Sequence, residues 1–183
     1  MRLLKRIRQK IGDSMFVSIV VLCNSERVNE LQKRLDEILK RASFSYELIF
    51  VFRSRSIYLE KRPQHDSKFV CVQNFWGTRK QVQKVLDEIH GDYVAVLSPD
   101  VKNCPYYMVD SLQLMETNSY DMVTMIDEVL PYSSFQKLMM RLKHILSPTK
   151  LFYVCKKSVL EKKVLKKDLS SCTIYYLPYE IEE

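Results

Sequence analysis

Seven short apolar runs, each bounded by polar or turn residues and most followed by a helical stripe, constrain this chain more than any other feature. The runs are Met15–Cys23, Tyr46–Phe52, Phe69–Val72, Tyr93–Leu97, Met122–Ile126, Phe152–Cys155 and Thr173–Leu177. The first is almost uninterrupted and rich in β-branched residues, as expected of a strand buried on both faces of a parallel sheet. Between the runs lie amphipathic patterns. Leu31, Leu35, Ile38 and Leu39 form one stripe, and Val82, Val85, Leu86 and Ile89 a second that stops near Gly91. Pro105–Glu116, Phe135–Leu146 and Ser158–Lys167 read as further helices, the first with proline in its opening turn and the second broken by Pro148. Strands alternating with helices imply right-handed crossovers and a three-layer α/β/α domain with a mostly parallel central sheet. Ligands of such sheets bind beyond the carboxyl ends of the strands. That directs attention to Leu22–Glu26, Phe52–Ser56, Asn74–Gly77 and Ser98–Asn103.

Composition narrows the chemistry. The only glycines are Gly12, Gly77 and Gly91, too few for a glycine-rich phosphate loop. The five cysteines are scattered without a Cys-x-x-Cys pair, which favours reduced, mostly buried thiols and a cytoplasmic setting. His65, His90 and His144 are dispersed, so a zinc site is not expected. No apolar run is long enough to span a bilayer. The net charge of +7 is concentrated at Arg2, Lys5, Arg6, Arg8 and Lys10, and at Lys156, Lys157, Lys162, Lys163, Lys166 and Lys167. Residues 1–12 interleave the first cluster with Leu3, Leu4, Ile7 and Ile11, so they read as a basic amphipathic helix ahead of a domain at 13–183. Such a helix suits either the anionic inner face of a membrane or a protein surface. Nucleic acid is the less favoured anion, because no aromatic stacking motif or recognition element accompanies the charge.

The strand ends carry a resemblance. Val17-Ser18-Ile19-Val20-Val21 followed by Asn24-Ser25-Glu26 resembles the opening of family-2 glycosyltransferases of the GT-A fold. Tyr46–Val51 is similar to that family's second strand, Asn74-Phe75 to its Arg-Asn-x-Gly segment, and Gly91–Leu97 to the strand before its Asp-x-Asp motif. Tyr120–Val123 fits a later strand. Ser147-Pro148-Thr149-Lys150-Leu151-Phe152-Tyr153 looks like the Asp-Pro-Thr-Ser-Gly-Phe-Arg segment of the polyprenol-phosphate, dolichyl-phosphate-mannose-synthase-like branch. The likeness runs over roughly residues 15–165. It implies a GT-A-like domain, a nucleotide-sugar donor, Mg²⁺ or Mn²⁺ if the protein is active, and Asn24, Glu26, Arg53, Arg55 and Asn74 near the donor. Asp100 would be the metal-contacting carboxylate.

The departures are specific. The acids expected after the second strand are Phe52 and Arg53, the first Asp of Asp-x-Asp is Ser98, and the Asp and Arg of the later segment are Ser147 and Tyr153. Transfer from a nucleotide diphosphate needs the leaving diphosphate neutralised, and one carboxylate holds a hard divalent cation weakly. Asp100 also suits a turn or helix cap, Glu26 a helix first turn, and Arg53 and Arg55 a solvated loop. Trp76 suits packing as well as sugar stacking. The sequence therefore favours a catalytically degenerate glycosyltransferase-like protein working with a protein partner or as a homodimer. The alternatives are an active, divergent transferase with a polyprenyl-phosphate or other membrane-linked acceptor, and a basic nucleic-acid-binding module.

Overall fold

A computed structural model of the protein describes residues 15–23, 27–52, 67–72, 79–99, 101, 103–126, 152–166 and 171–178. The N-terminal helix expected over 1–12 and the helix expected over Phe135–Leu146 lie outside these residues. The elements run β1 (Phe16–Cys23), α1 (Val28–Leu39), β2 (Ser45–Phe52), β3 (Ser67–Cys71), α2 (Arg79–Glu88), β4 (Tyr93–Leu97), α3 (Cys104–Asn118), β5 (Met122–Ile126), β6 (Phe152–Lys156), α4 (Lys157–Lys166) and β7 (Ile174–Pro178). All seven apolar runs are strands of one sheet in the order β3-β2-β1-β4-β6-β5-β7.

β1 is the axis of the sheet. It pairs in parallel with β2 on one side and β4 on the other, so that Val20 lies between Ile49 and Val96. β2 pairs in parallel with β3, and β5 with β7. β6 alone runs against its neighbours β4 and β5. Hydrophobic periodicity reports burial and not direction, which is why the reversal is invisible in the apolar pattern.

The strand alternation separates two cores. Val17, Ile19, Val21 and Cys23 face one layer with Leu31 and Leu35 of α1 and Met108, Leu112 and Met115 of α3. Val20 and Leu22 face the other with Val85, Leu86 and Ile89 beside α2 and Val159 and Leu160 of α4. Both faces of β1 are thus covered, as its unbroken apolar sequence requires. Cys23, Cys104 and Cys155 are buried, but Cys71 is exposed on edge strand β3 and Cys172 half-buried, so the expectation of burial fails for Cys71.

The amino end of the sheet is held by a polar cluster. Ser18 Oγ donates to Glu47 Oε1 at 2.5 Å, and the backbone N–H of His90 donates to the same oxygen at 2.6 Å. Lys68 Nζ lies 3.3 Å from Glu47 Oε2 and 3.5 Å from Glu88 Oε2. Burial opposes the charge on Glu47, but the bonds from Ser18, His90 and Lys68 outweigh it and hold the carboxyl below its usual value. Gly91 is in this cluster for lack of a side chain: its N–H donates to Ser18 Oγ at 2.8 Å, and a Cβ there would meet Ser18 N at 2.6 Å. Its φ is not positive, so close approach to β1, and not a left-handed helix stop, explains the residue. Two cations of the second basic cluster are also internal fasteners. Lys156 Nζ donates to Asp121 Oδ1 at 2.8 Å and Lys157 Nζ to the Ile89 carbonyl at 2.7 Å.

Candidate functional site

The strand order changes direction at β1: the chain leaves it for β2 and then β3 on one side and crosses back from β3 to β4 on the other, and the carboxyl ends of β1 and β4 open onto a cleft between α1 and α3. The cleft has a volume of about 280 Å³ and is bordered by Arg27, Glu30, Arg34, Pro99, Val101 and Asn103. This is the crevice that an open α/β sheet provides for ligands.

Two local features shape it. Leaving β4, the chain turns at once: Val101 N–H donates to the Ser98 carbonyl at 3.1 Å, and Pro99 is buried beneath the turn. Asn103 then adopts a left-handed conformation, φ 57° and ψ 14°, before α3 begins with Pro105 in its first turn. Asn tolerates that region better than most side chains, and proline there forfeits no helical bond. The Cys104 thiol donates to the Ser98 carbonyl at 3.5 Å, closing the turn from below. Burial pushes that thiol up to about 12 despite the nearby Arg34 charge, so it is a packing group and no nucleophile.

The opposite wall is one face of α1. Arg27, Glu30 and Arg34 recur at helical spacing, with Leu31 beneath them. Arg34 is fixed at both ends of its fork: Nη2 pairs with Glu30 Oε1 at 2.6 Å, and Nη1 donates to Asn103 Oδ1 at 3.3 Å. Arg27 is exposed and has no ion-pair partner among the described residues.

Of the residues singled out from sequence, Asn24, Glu26, Arg53, Arg55, Asn74 and the metal candidate Asp100 lie outside the described residues, as does Trp76. One of the four strand-end segments, Ser98–Asn103, lines the cleft through its described members Pro99, Val101 and Asn103, which lead into α3. Arg27 and Arg34 were not singled out, and Asn103 only as the end of the Ser98–Asn103 segment. The 27/30/34 charge spacing on a helix leaving a strand end was the available signal for the first two.

Three positions where the resemblance leads one to expect a charged group are described, and all three are packed. Ser98 is fully buried. Phe52 joins the partly buried rim of the α1/α3 core and stacks on Phe69 with ring centroids 6.0 Å apart. Tyr153 is 4% exposed, and burial pushes its phenol well above the usual value. Among the described residues no group of three His, Cys, Asp or Glu side chains could hold a metal ion. The described part of the site therefore does not fit a divalent cation.

No protein-family model matches the sequence, and a search of curated proteins gives no match. Solved structures do match. Mannosyl-3-phosphoglycerate synthase from Rubrobacter xylanophilus superposes with a TM-score of 0.65 at 12% identity, over 98% of this chain and 71% of that one. Glucosyl-3-phosphoglycerate synthase from Mycobacterium tuberculosis gives 0.63 at 15% identity, over 99% and 76%. The same enzyme in complex with Mn²⁺ and uridine-diphosphate-glucose gives 0.60 at 15%, over 100% and 74%. With the strand order and the single reversed strand, these likenesses establish that the chain has the fold of GT-A-type glycosyltransferases.

Proposed function

We propose that this chain is a catalytically degenerate glycosyltransferase-like protein of a nucleotide-sugar or lipid-linked glycan pathway, acting as a partner or regulatory subunit. The observation that carries the reading is the burial of Ser98 and Tyr153 and the packing of Phe52 against the core. At three positions where the resemblance leads one to expect charge, the chain packs neutral side chains instead. Loss of preorganised charge removes what is usually the largest contribution to such catalysis. A frame can be kept for packing while its site decays.

Calorimetric titration with uridine and guanosine diphosphates and their sugars, with and without Mn²⁺, tests this. The expected result is no donor hydrolysis or transfer, and nucleotide binding that Mn²⁺ does not strengthen. Manganese-dependent micromolar binding, or turnover abolished by Asp100→Ala, overturns it.

A second reading, an active divergent transferase, draws on Asp100 at the position that the resemblance assigns to the metal ligand and on a structural neighbour holding Mn²⁺ and uridine-diphosphate-glucose. In it Asp100 contributes to the cation, Asn24, Glu26 and Asn74 face the nucleotide, and Arg53 and Arg55 offset the missing carboxylates. A polyprenyl-phosphate acceptor and membrane contact through residues 1–12 would extend either reading. Cosedimentation with anionic vesicles, compared with a variant whose five N-terminal cations are replaced by Gln, tests the contact. No helix among the described residues is long and apolar enough to cross a membrane.

A further inference from the structure

The arginines of the α1/α3 cleft stand on observations separate from the buried acid positions. We infer that the cleft binds a phosphate-bearing anion directly, with Arg27 as the principal ligand and Arg34 as the second. The inference does not depend on whether transfer chemistry survives.

Among the described residues bordering the cleft, two guanidinium groups stand against one carboxylate. The first turn of α3 supplies no acidic residue to oppose an anion. The two arginines are in different states. Arg34 is held by Glu30 and Asn103, which fixes its plane while leaving about three of its N–H donors unused. Arg27 has no ion-pair partner among the described residues, although it stands on the same helix face, one turn from Glu30. A fixed guanidinium beside one with no ion pair among the described residues is a receptor in which one long side chain remains to be ordered on binding. The planar fork suits phosphate oxygens. A volume of about 280 Å³ accommodates a phosphate or diphosphate with a small substituent, below the usual range for drug-sized ligands. Among the described residues of the cleft Glu30 is the carboxylate that opposes the anion, and its 61% exposed side chain can swing into solvent when an incoming oxygen takes its place on Arg34. The site thus supplies from side chains the positive charge that a metal would otherwise bring to a diphosphate.

The test is titration of the full chain with inorganic phosphate and with pyrophosphate at low ionic strength, by calorimetry, without added metal. Saturable binding is expected, weakened at least tenfold by Arg27→Gln and tightened several-fold by Glu30→Gln, which removes the competing carboxylate. Lys33→Gln removes an exposed charge from α1 outside the cleft and should leave the affinity unchanged. Absence of saturable binding overturns the inference, as does equal weakening by Lys33→Gln and Arg27→Gln, the signature of diffuse charge. Circular dichroism of these surface variants separates a binding effect from a folding one. Repeating the phosphate titration with uridine diphosphate present separates the two sources of the anion. Displacement assigns the cleft to the phosphates of a nucleotide, and simultaneous binding assigns it to a second phosphorylated molecule. Failure here leaves the degenerate-transferase reading intact, since that rests on metal dependence and turnover.

Discussion

Gly91→Ala is the sharpest perturbation of this fold, because its effect follows from three close approaches that a Cβ at this position would make. An added Cβ would meet Ser18 N at 2.6 Å, the Phe16 carbonyl oxygen at 2.8 Å and Ser18 Oγ at 2.8 Å. All are well inside the ~3.5 Å at which non-bonded heavy atoms attract best. Two of the three are backbone atoms of β1, which is locked between β2 and β4 and cannot retreat cheaply. Forced accommodation of one extra carbon in a packed region costs about 1–3 kcal/mol. Separating the Gly91 N–H from Ser18 Oγ adds roughly 1 kcal/mol. The sum, about 2–4 kcal/mol, is a large share of the stability of a domain of this size. Urea unfolding followed by circular dichroism should show the midpoint falling with the slope unchanged, and the melting temperature should drop by roughly 5–15 °C. Ser18→Ala in the Gly91→Ala background removes only the Oγ contact, so the double variant should stay destabilised. A Gly91→Ala protein within about 0.5 kcal/mol of the parent would refute the reasoning, because it would mean that β1 is free to move.

Other outcomes follow from the same structure. The Glu47 carboxyl is held below its usual value of 4.5, so its stabilising contribution is complete above that pH and is lost as pH falls through the lower folded value. Unfolding midpoints measured as pH is lowered from 6 should therefore fall more steeply for the parent than for Glu47→Gln, which is less stable at pH 6. Ser111 Oγ is buried without a hydrogen-bond partner among the described residues, so Ser111→Ala should be neutral or stabilising by up to about 1 kcal/mol in thermal melts. Maleimide labelling of the native protein with mass-spectrometric mapping should modify exposed Cys71 first. Cys23 and Cys104, whose thiols burial pushes up, should react only after denaturation.

The sheet was legible in the sequence because burial on both faces leaves a signature that few other structures share. Every apolar run became a strand, and the parity of β1 assigned its side chains to two cores. What was not legible depended on contacts between distant segments. The direction of β6 follows from its insertion between β4 and β5, which no local pattern encodes. Gly91 reads as a helix stop in isolation, and its close approach to Ser18 appears only when β4 lies beside β1. The same holds for Arg34, whose amide partner Asn103 lies far along the chain. Asn103 itself resembles an ordinary turn residue until its left-handed backbone is seen at the start of α3. The departures at Phe52, Ser98 and Tyr153 could be read from the sequence, but not that each is absorbed into packing.

The insertion of β6 between β4 and β5 also orders the assembly of the molecule in time. β5 leaves the ribosome before β6, yet β5 and β7 reach the rest of the sheet only through β6. The half containing β1 to β4 can zip together as soon as β4 is synthesised, by parallel pairings that close long loops and so form slowly. Until Phe152–Lys156 arrives, β4 presents an open edge and β5 has no partner strand beside it. A nascent chain paused after β5 therefore exposes two adhesive strands at once, and the late, reversed strand acts as the keystone that shuts both.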